Sequence, residues 1–207
     1  SPTKQDKASS HGSPLGKEEI LKIREIYQWK NVAFEIPRVL KTKWEKIGLR
    51  GKSIRVEWEK NLSKLSYSRK TKFERAMRGS LPSNFTSNII KLKKEIARTL
   101  PVMASRKSSE RALEAINKII PETIGGSADL TGSNNTLTEG LGILLPDNPE
   151  GRYIHYGIRE HGMSAIMNGI ALHGGLIPYG GTFLVFSDYA RGGIRLSALM
   201  GLRVIYV

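Results

Sequence analysis

Glu160 lies in G-R-Y-I-H-Y-G-I-R-E-H-G-M, residues 151–163, where a run of strand formers gives way to a helical pattern. Tyr153, Ile154, His155 and Tyr156 favour an extended chain, and Gly157 breaks it. Residues 159–173 then place Met163, Ile166, Met167 and Ile170 on one side of a helix. A carboxylate at the start of such a helix is favoured by the helix dipole and can pair with Arg159; acid–base work is the other reading of the same position. His11, beside Gly12 in S-S-H-G-S-P-L-G, residues 9–16, projects from a loop. There a neutral imidazole donates or accepts a proton, although alone it reads as a surface histidine. Phe183, Phe186 and Tyr189 recur at i, i+3 and i+6. Core packing explains such a stripe, and so does a slot for a flat ring. Arg106 in A-S-R-K-S and Ser133 in S-A-D-L-T-G-S-N supply a guanidinium and a hydroxyl, the groups that grip phosphate. Alone they are a solvated arginine and a turn serine, and Asp129 after a strand is a turn former.

The elements that must position these groups follow from pattern and punctuation. Pro2, Gly12, Pro14 and Gly16 mark residues 1–16 as loop. Residues 17–29 read as a helix with Ile20, Ile23, Ile26 and Tyr27 as its core stripe. Residues 39–77 predict a basic helical pair broken at Gly48 and Gly51, with Trp44, Trp58, Tyr67 and Phe73 as anchors. Residues 78–85 are a turn and domain boundary. Residues 86–100 form a helix with Ile89, Ile90, Leu92 and Ile96 inward, ended by Pro101. A further helix starts with Ser108 or Ser109 as its N-cap and buries Ala112, Leu113, Ile116, Ile119 and Ile120. Strands at 123–128, at Tyr153, at 176–179 and at Arg203 alternate with the Glu160 helix and a helix over 187–199, separated early by a Gly/Ser/Asn-rich loop. This alternation predicts a parallel α/β sheet flanked by helices, preceded by a mostly helical basic segment. Ligands of such sheets sit at the carboxyl ends of the strands, which puts Asp129, Ser133 and Glu160 on one edge.

The chain has 207 residues, 39% of them hydrophobic, enough for one or two domains with a buried core. It contains no cysteine, so disulfides, thiolate metal sites and thiol nucleophiles are excluded. No apolar run reaches the length of a membrane span, and a cytoplasmic protein is expected. The net charge of +14 is unevenly placed. Residues 1–120 hold 28 Lys or Arg against 12 Asp or Glu, a net of +16, and residues 121–207 hold 5 against 7, a net of −2. The basic residues are interspersed with apolar ones, as on solvated helix faces, and no zinc-finger or RNA-binding sheet motif accompanies them, so a nucleic-acid partner is not expected.

Three segments, I-G-G-S-A-D-L-T-G-S-N-N-T at 124–136, the R-E-H-G-M core at 159–163 and G-G-T-F-L-V-F-S-D-Y-A-R at 180–191, together resemble transketolase at the start of its pyrimidine-binding domain. S-H-G-S-P-L-G and N-V-A-F-E-I-P resemble phrases at the end of the diphosphate-binding domain of the same family. The resemblance implies residues 1–80 as the end of that domain, 81–105 as a linker and 106–207 as the start of the pyrimidine-binding domain. It implies thiamine diphosphate with a divalent cation such as Mg2+, whose ligands lie outside this chain. Glu160 would be the acid at N1′ of the aminopyrimidine, promoting the imino tautomer that takes the thiazolium C2 proton. Phe183, Phe186 and Tyr189 would form the pyrimidine pocket, with Asp129 at the cofactor site. His11 would face diphosphate and substrate, and Arg106 and Ser133 would hold the substrate phosphate. Gly132 and Asn135 depart from the family phrase without removing a site group.

The implied reaction moves a two-carbon ketol unit from a ketose phosphate to an aldose phosphate, as in the pentose phosphate pathway, in a homodimer with its site between subunits. The chain would be a central fragment, inactive alone for want of the metal motif. Two rivals remain: a related thiamine enzyme of the dihydroxyacetone synthase or deoxyxylulose-phosphate synthase type, and a non-catalytic remnant or basic interaction protein.

Overall fold

The computed structural model describes residues 1–207, which divide into two compact units, residues 1–64 and 65–207. In the first unit a loop with a single 3-10 turn leads into α1 (Lys17–Ile26), α2 (Arg38–Leu49) and α3 (Lys52–Ser63). Glu19 is its one buried residue. The expected stripe of α1 is not buried: Ile20, Ile26 and Tyr27 are exposed, and so is Trp44 of α2, at 72%. Amphipathic periodicity gives a helix, but these helices lack a neighbour within the unit to cover the apolar side.

What holds the first unit's entry loop is one carboxylate. Glu19 accepts hydrogen bonds from the Ser1 hydroxyl, the Thr3 hydroxyl (2.5 Å) and the Thr3 N–H (2.9 Å). These donors favour the ionised form and hold its pKa down at about 2.

The second unit contains α4 (Tyr67–Met77), α5 (Phe85–Thr99), α6 (Ser105–Ile119), β1 (Thr123–Ser127), α7 (Thr131–Asn134), β2 (Tyr153–His155), α8 (Glu160–His173), β3 (Ile177–Gly180), α9 (Ser187–Leu199) and β4 (Ile205–Tyr206). The four strands form one parallel sheet in the order β2-β1-β3-β4, as alternation predicts. Gly125 pairs with Tyr153, Ile124 with Pro178 and Gly180 with Tyr206. The core lies in two clusters, one around Leu113, Leu141, Tyr153 and Tyr179, the other around Ala128, Tyr156, Met163 and Met167. No helix is long and apolar enough to cross a membrane.

Several expectations are corrected. The basic pair over 39–77 is three helices, α2, α3 and α4. The second break, at Lys64–Ser66, carries no glycine or proline to announce it. Ser108 and Ser109 lie inside α6, whose N-cap is Ala104; the chain stays extended after Pro101 until that residue, and the Ala104 carbonyl accepts from Lys107 and Ser108 N–H. The Gly/Ser/Asn-rich loop contains the one-turn helix α7, and the last strand begins at Ile205 rather than Arg203. On α8, Met163 and Met167 face inward but Ile166 is 49% exposed. Of the inward residues expected on α5, Ile90 and Ile96 are exposed.

Close packing dictates the small residues of the sheet. A Cβ on Gly125 would lie 2.1 Å from Cζ of Tyr179, and one on Gly180 would lie 2.7 Å from the sulfur of Met167. α8 and α9 are likewise drawn together by buried polar groups. Asn168 Nδ2 donates to the Gly193 carbonyl at 3.0 Å, and the Ser197 hydroxyl donates to Asn168 Oδ1 at 2.6 Å. At the amino end of β1 the Arg75 guanidinium pairs with Glu122, tying α4 to the approach of that strand.

Two predictions follow from this packing. Gly125→Ala should cost about 1–3 kcal/mol through overpacking against Tyr179, read as a lowered urea midpoint of the chain; an unchanged midpoint would mean the ring yields freely. The Glu19 pKa is depressed, so its contribution is present above the ordinary carboxylate value and is lost as pH falls towards about 2. Carboxyl NMR should show a Glu19 midpoint well below that of the other glutamates, with exchange protection of the Thr3 amide disappearing over the same interval.

Candidate functional site

All strands are parallel, so the residues that follow them gather at one edge of the sheet. Asp129 follows β1, Glu160 follows β2 and Phe183 follows β3. β1 and β3 are joined across this edge: Ala128 N–H donates to the Gly181 carbonyl at 3.0 Å, and Gly181 N–H to Gly126 O at 3.0 Å.

Glu160 is the first residue of α8 and is 6% exposed. A negative charge there is stabilised by the unsatisfied N–H groups of the first turn. No ion pair or hydrogen bond within the chain engages its carboxylate. The anticipated pairing with Arg159 does not form, because the Arg159 guanidinium donates instead to the Tyr156 carbonyl at 2.9 Å. The residue is largely enclosed while its carboxylate oxygens keep contact with solvent at the sheet edge, which leaves Glu160 open to a ligand from outside its own chain.

Phe183, Phe186 and Tyr189 stack in a near-parallel, offset row. Their ring centroids are separated by 6.1 Å and 6.0 Å, with interplanar angles of 15° and 14°. They are not fully buried: Phe183 is 44% and Tyr189 66% exposed, and Phe186 between them is partly buried. The stack starts just before α9 and runs into its first turn. Phe183 also lines a cavity with Met163, one turn beyond Glu160 on α8, and with Thr182. The Thr182 hydroxyl is buried there without a partner. The cavity thus combines an aromatic face, apolar walls and one unpartnered hydroxyl, a lining that suits a flat ring able to hydrogen-bond; Glu160, Phe186 and Tyr189 do not line it.

Asp129 occupies the left-handed region, at φ 59°, uncommon for a non-glycine residue. It lines a shallow pocket with Thr131, Gly132, His155 and Arg159. Ser133 sits on α7 with its side chain exposed, and its N–H donates to the Leu130 carbonyl at 2.9 Å. Arg106 is exposed in the first turn of α6, while its neighbours Lys107 and Glu110 pair with each other at 2.7 Å. His11 belongs to the first unit, where it is exposed and follows the 3-10 turn Ala8–Ser10. No group of three or more His, Asp or Glu side chains is gathered to hold a metal.

Two pocket residues escaped sequence reasoning. His155 is the last residue of β2 and packs edge-on against Tyr153, with centroids 5.3 Å apart. Its signal was position, since side chains alternate along a strand and this one ends at the ligand edge. The sequence alone offers Arg159 only as a partner for Glu160. Its guanidinium lies 2.5 Å from where a Cβ on Gly157 would be, so the glycine at φ 67° makes room for it.

The family model described as transketolase, pyrimidine binding domain, matches residues 102–207, and that described as transketolase, thiamine diphosphate binding domain, matches residues 1–82. The chain is 49% identical over 207 residues to a transketolase of Rhodobacter capsulatus, covering all of this chain and 31% of that protein. It is 50% identical over 198 residues to a transketolase of Sinorhizobium medicae, covering 96% of this chain and 28% of that protein. Among solved structures, transketolase from Leishmania mexicana superposes with a TM-score of 0.79 at 35% identity, over 95% of this chain and 29% of that one. A Pichia stipitis transketolase complex with sedoheptulose-7-phosphate gives 0.78 at 35% identity, over 95% and 30%. The chain thus spans less than a third of the length of the curated relatives it matches. With a parallel sheet whose carboxyl edge carries the buried Glu160 and the aromatic stack, and with family models matching both segments, the chain belongs to the transketolase family.

Proposed function

We propose that this chain forms part of a thiamine diphosphate-dependent transketolase that moves a two-carbon ketol group from a ketose phosphate to an aldose phosphate. The observation that carries this reading is Glu160: a residue only 6% exposed, its carboxylate engaged by no group of the chain, at a helix start on the sheet edge that also carries the three stacked rings. The family matches and the ketose phosphate bound by a solved relative support it. The same matches favour transketolase over the related thiamine enzymes.

In this reading the cofactor, when bound, supplies the carbanion chemistry, and a divalent metal on its diphosphate is held by residues outside this chain. The chain's own residues bind and orient. Phe183, Phe186 and Tyr189 take the flat pyrimidine against their faces, and Glu160 holds a proton at its N1′. Asp129 lies on the cofactor side of the edge. Arg106 and Ser133 grip the substrate phosphate, and His11 serves diphosphate and substrate as a proton donor or acceptor. Residues 1–80 are assigned to the end of the diphosphate-binding domain, 81–105 to a linker and 106–207 to the start of the pyrimidine-binding domain. The exposed apolar side chains of α1 and α2 suit helices that pack on further protein. A homodimer with its site between subunits and a cytoplasmic location complete the proposal and rest on family membership.

The test is ketol transfer by the full-length product of the gene. Glu160→Gln keeps the side chain's volume and removes its charge; kcat should fall by about 100-fold or more, with an unchanged circular dichroism spectrum. Wild-type turnover in that variant would sink the assignment. Tyr189→Ala, which removes one end of the stack, should weaken thiamine diphosphate binding by about threefold to tenfold in a titration of tryptophan fluorescence. The 207-residue chain on its own is expected to show no turnover, and measurable activity would mean that it holds the metal by itself.

A further inference from the structure

Beneath the carboxyl edge runs a line of buried hydroxyls and amides. Tyr153 is fully buried, and its phenol oxygen lies 3.0 Å from Thr131 Oγ1 and 2.7 Å from Thr136 Oγ1. The Thr136 hydroxyl donates to Asn134 Oδ1 at 2.8 Å, and Asn134 Nδ2 donates to Ser127 Oγ at 3.0 Å. Ser127 accepts a second bond from Leu130 N–H at 3.2 Å and donates to the Gly181 carbonyl at 3.1 Å. Each hydroxyl has one proton, which fixes the direction of the line. Thr136 has given its proton to Asn134, so it accepts from Tyr153, and Tyr153 in turn accepts from Thr131. Burial pushes the Tyr153 phenol above its usual range, so it remains a neutral donor.

The line encloses α7, which cannot hold its own shape. One turn is too short to be stable by itself, and it is bounded by two non-glycine residues in the left-handed region, Asp129 at φ 59° and Asn135 at φ 54°. Thr131 and Asn134, the first and last residues of the turn, are the two the line grips. Ser133 is carried between them with its side chain free.

We propose that Tyr153, Thr136 and Asn134 are positioning residues that fix the α7 turn so that Ser133 meets the phosphate of the substrate; the proposal rests on the reading of Ser133 given above. None of the three touches the substrate. Their effect is to set one hydroxyl at the distance and angle that phosphate recognition needs.

The experiment compares a ketose phosphate with the same ketose lacking its phosphate, using the full-length gene product. In Tyr153→Phe, KM for the phosphorylated ketose should rise about tenfold, the cost of one misplaced hydrogen bond. For the unphosphorylated ketose, kcat and KM should stay within about twofold of wild type. Thr136→Val should behave as Tyr153→Phe does, and Thr136→Ser, which keeps the hydroxyl, should restore wild-type constants. Equal losses on both substrates, or no loss on either, overturn the proposal. It is also overturned if Tyr153→Phe and Thr136→Val fail to fold while Thr136→Ser folds, because the line would then serve stability alone. A wild-type protein indifferent to the phosphate would instead overturn the reading of Ser133, and the inference with it.

Discussion

The carboxyl edge depends on two adjacent glycines, Gly125 and Gly126, in the middle of β1. At Gly125 the sheet admits the Tyr179 ring, and at Gly126 it admits Tyr156, whose ring lies 2.2 Å from where a Cβ would be. Both rings are buried from opposite clusters of the core. At these two positions the strand contributes no packing of its own, because glycine has no side chain and loses much entropy. Its place is imposed by the neighbours: parallel pairing to β2 and β3, aromatic rings over both faces, and Ser127 at its end reaching across to the Gly181 carbonyl. Asp129 and the α7 turn that carries Ser133 start from that end.

Polar chemistry does in this unit what apolar packing does elsewhere. Tyr179 donates to the Thr136 carbonyl at 2.8 Å and accepts from Asn117 Nδ2 at 3.1 Å, and Asn117 also donates to the Thr138 hydroxyl at 2.8 Å. α8 and α9 are joined by Asn168 and Ser197, with Gly193 against Ser164. Such contacts are directional, so they specify geometry as well as contributing stability. Burial raises Tyr156 and Tyr179 to about 12, which keeps these phenols uncharged across the range in which enzymes operate.

How much of this was legible in the sequence depended on whether the signal was local. The parallel sheet, α6, α8 and α9 could be read because periodicity and glycine punctuation mark them within a few residues. Glu160 stood out because an acid at the head of an apolar helix is a local anomaly. The tyrosine lines could not be read, since Tyr153 reaches Thr131 and Tyr179 reaches Asn117 across 22 and 62 residues. No window of sequence holds both partners. The break before α4 was missed for the opposite reason: Lys64–Ser66 lacks the residues that usually stop a helix. The stripes of α1 and α5 were real patterns, and only the inference that they were covered within the chain failed.

The crowding at Gly180 bears on oxidative damage. Met163 and Met167 are wholly buried, with sulfurs 2.8 Å and 2.7 Å from where even a methyl group on Gly180 would sit. A sulfoxide adds a polar oxygen to a gap that already rejects one carbon. On the Gly180 side neither sulfur has room for that oxygen. The two thioethers differ in this respect: Met167 lines no cavity near the edge, whereas Met163 borders the one lined by Phe183 and Thr182, so a sulfoxide at Met163 would place its oxygen where a ligand would sit.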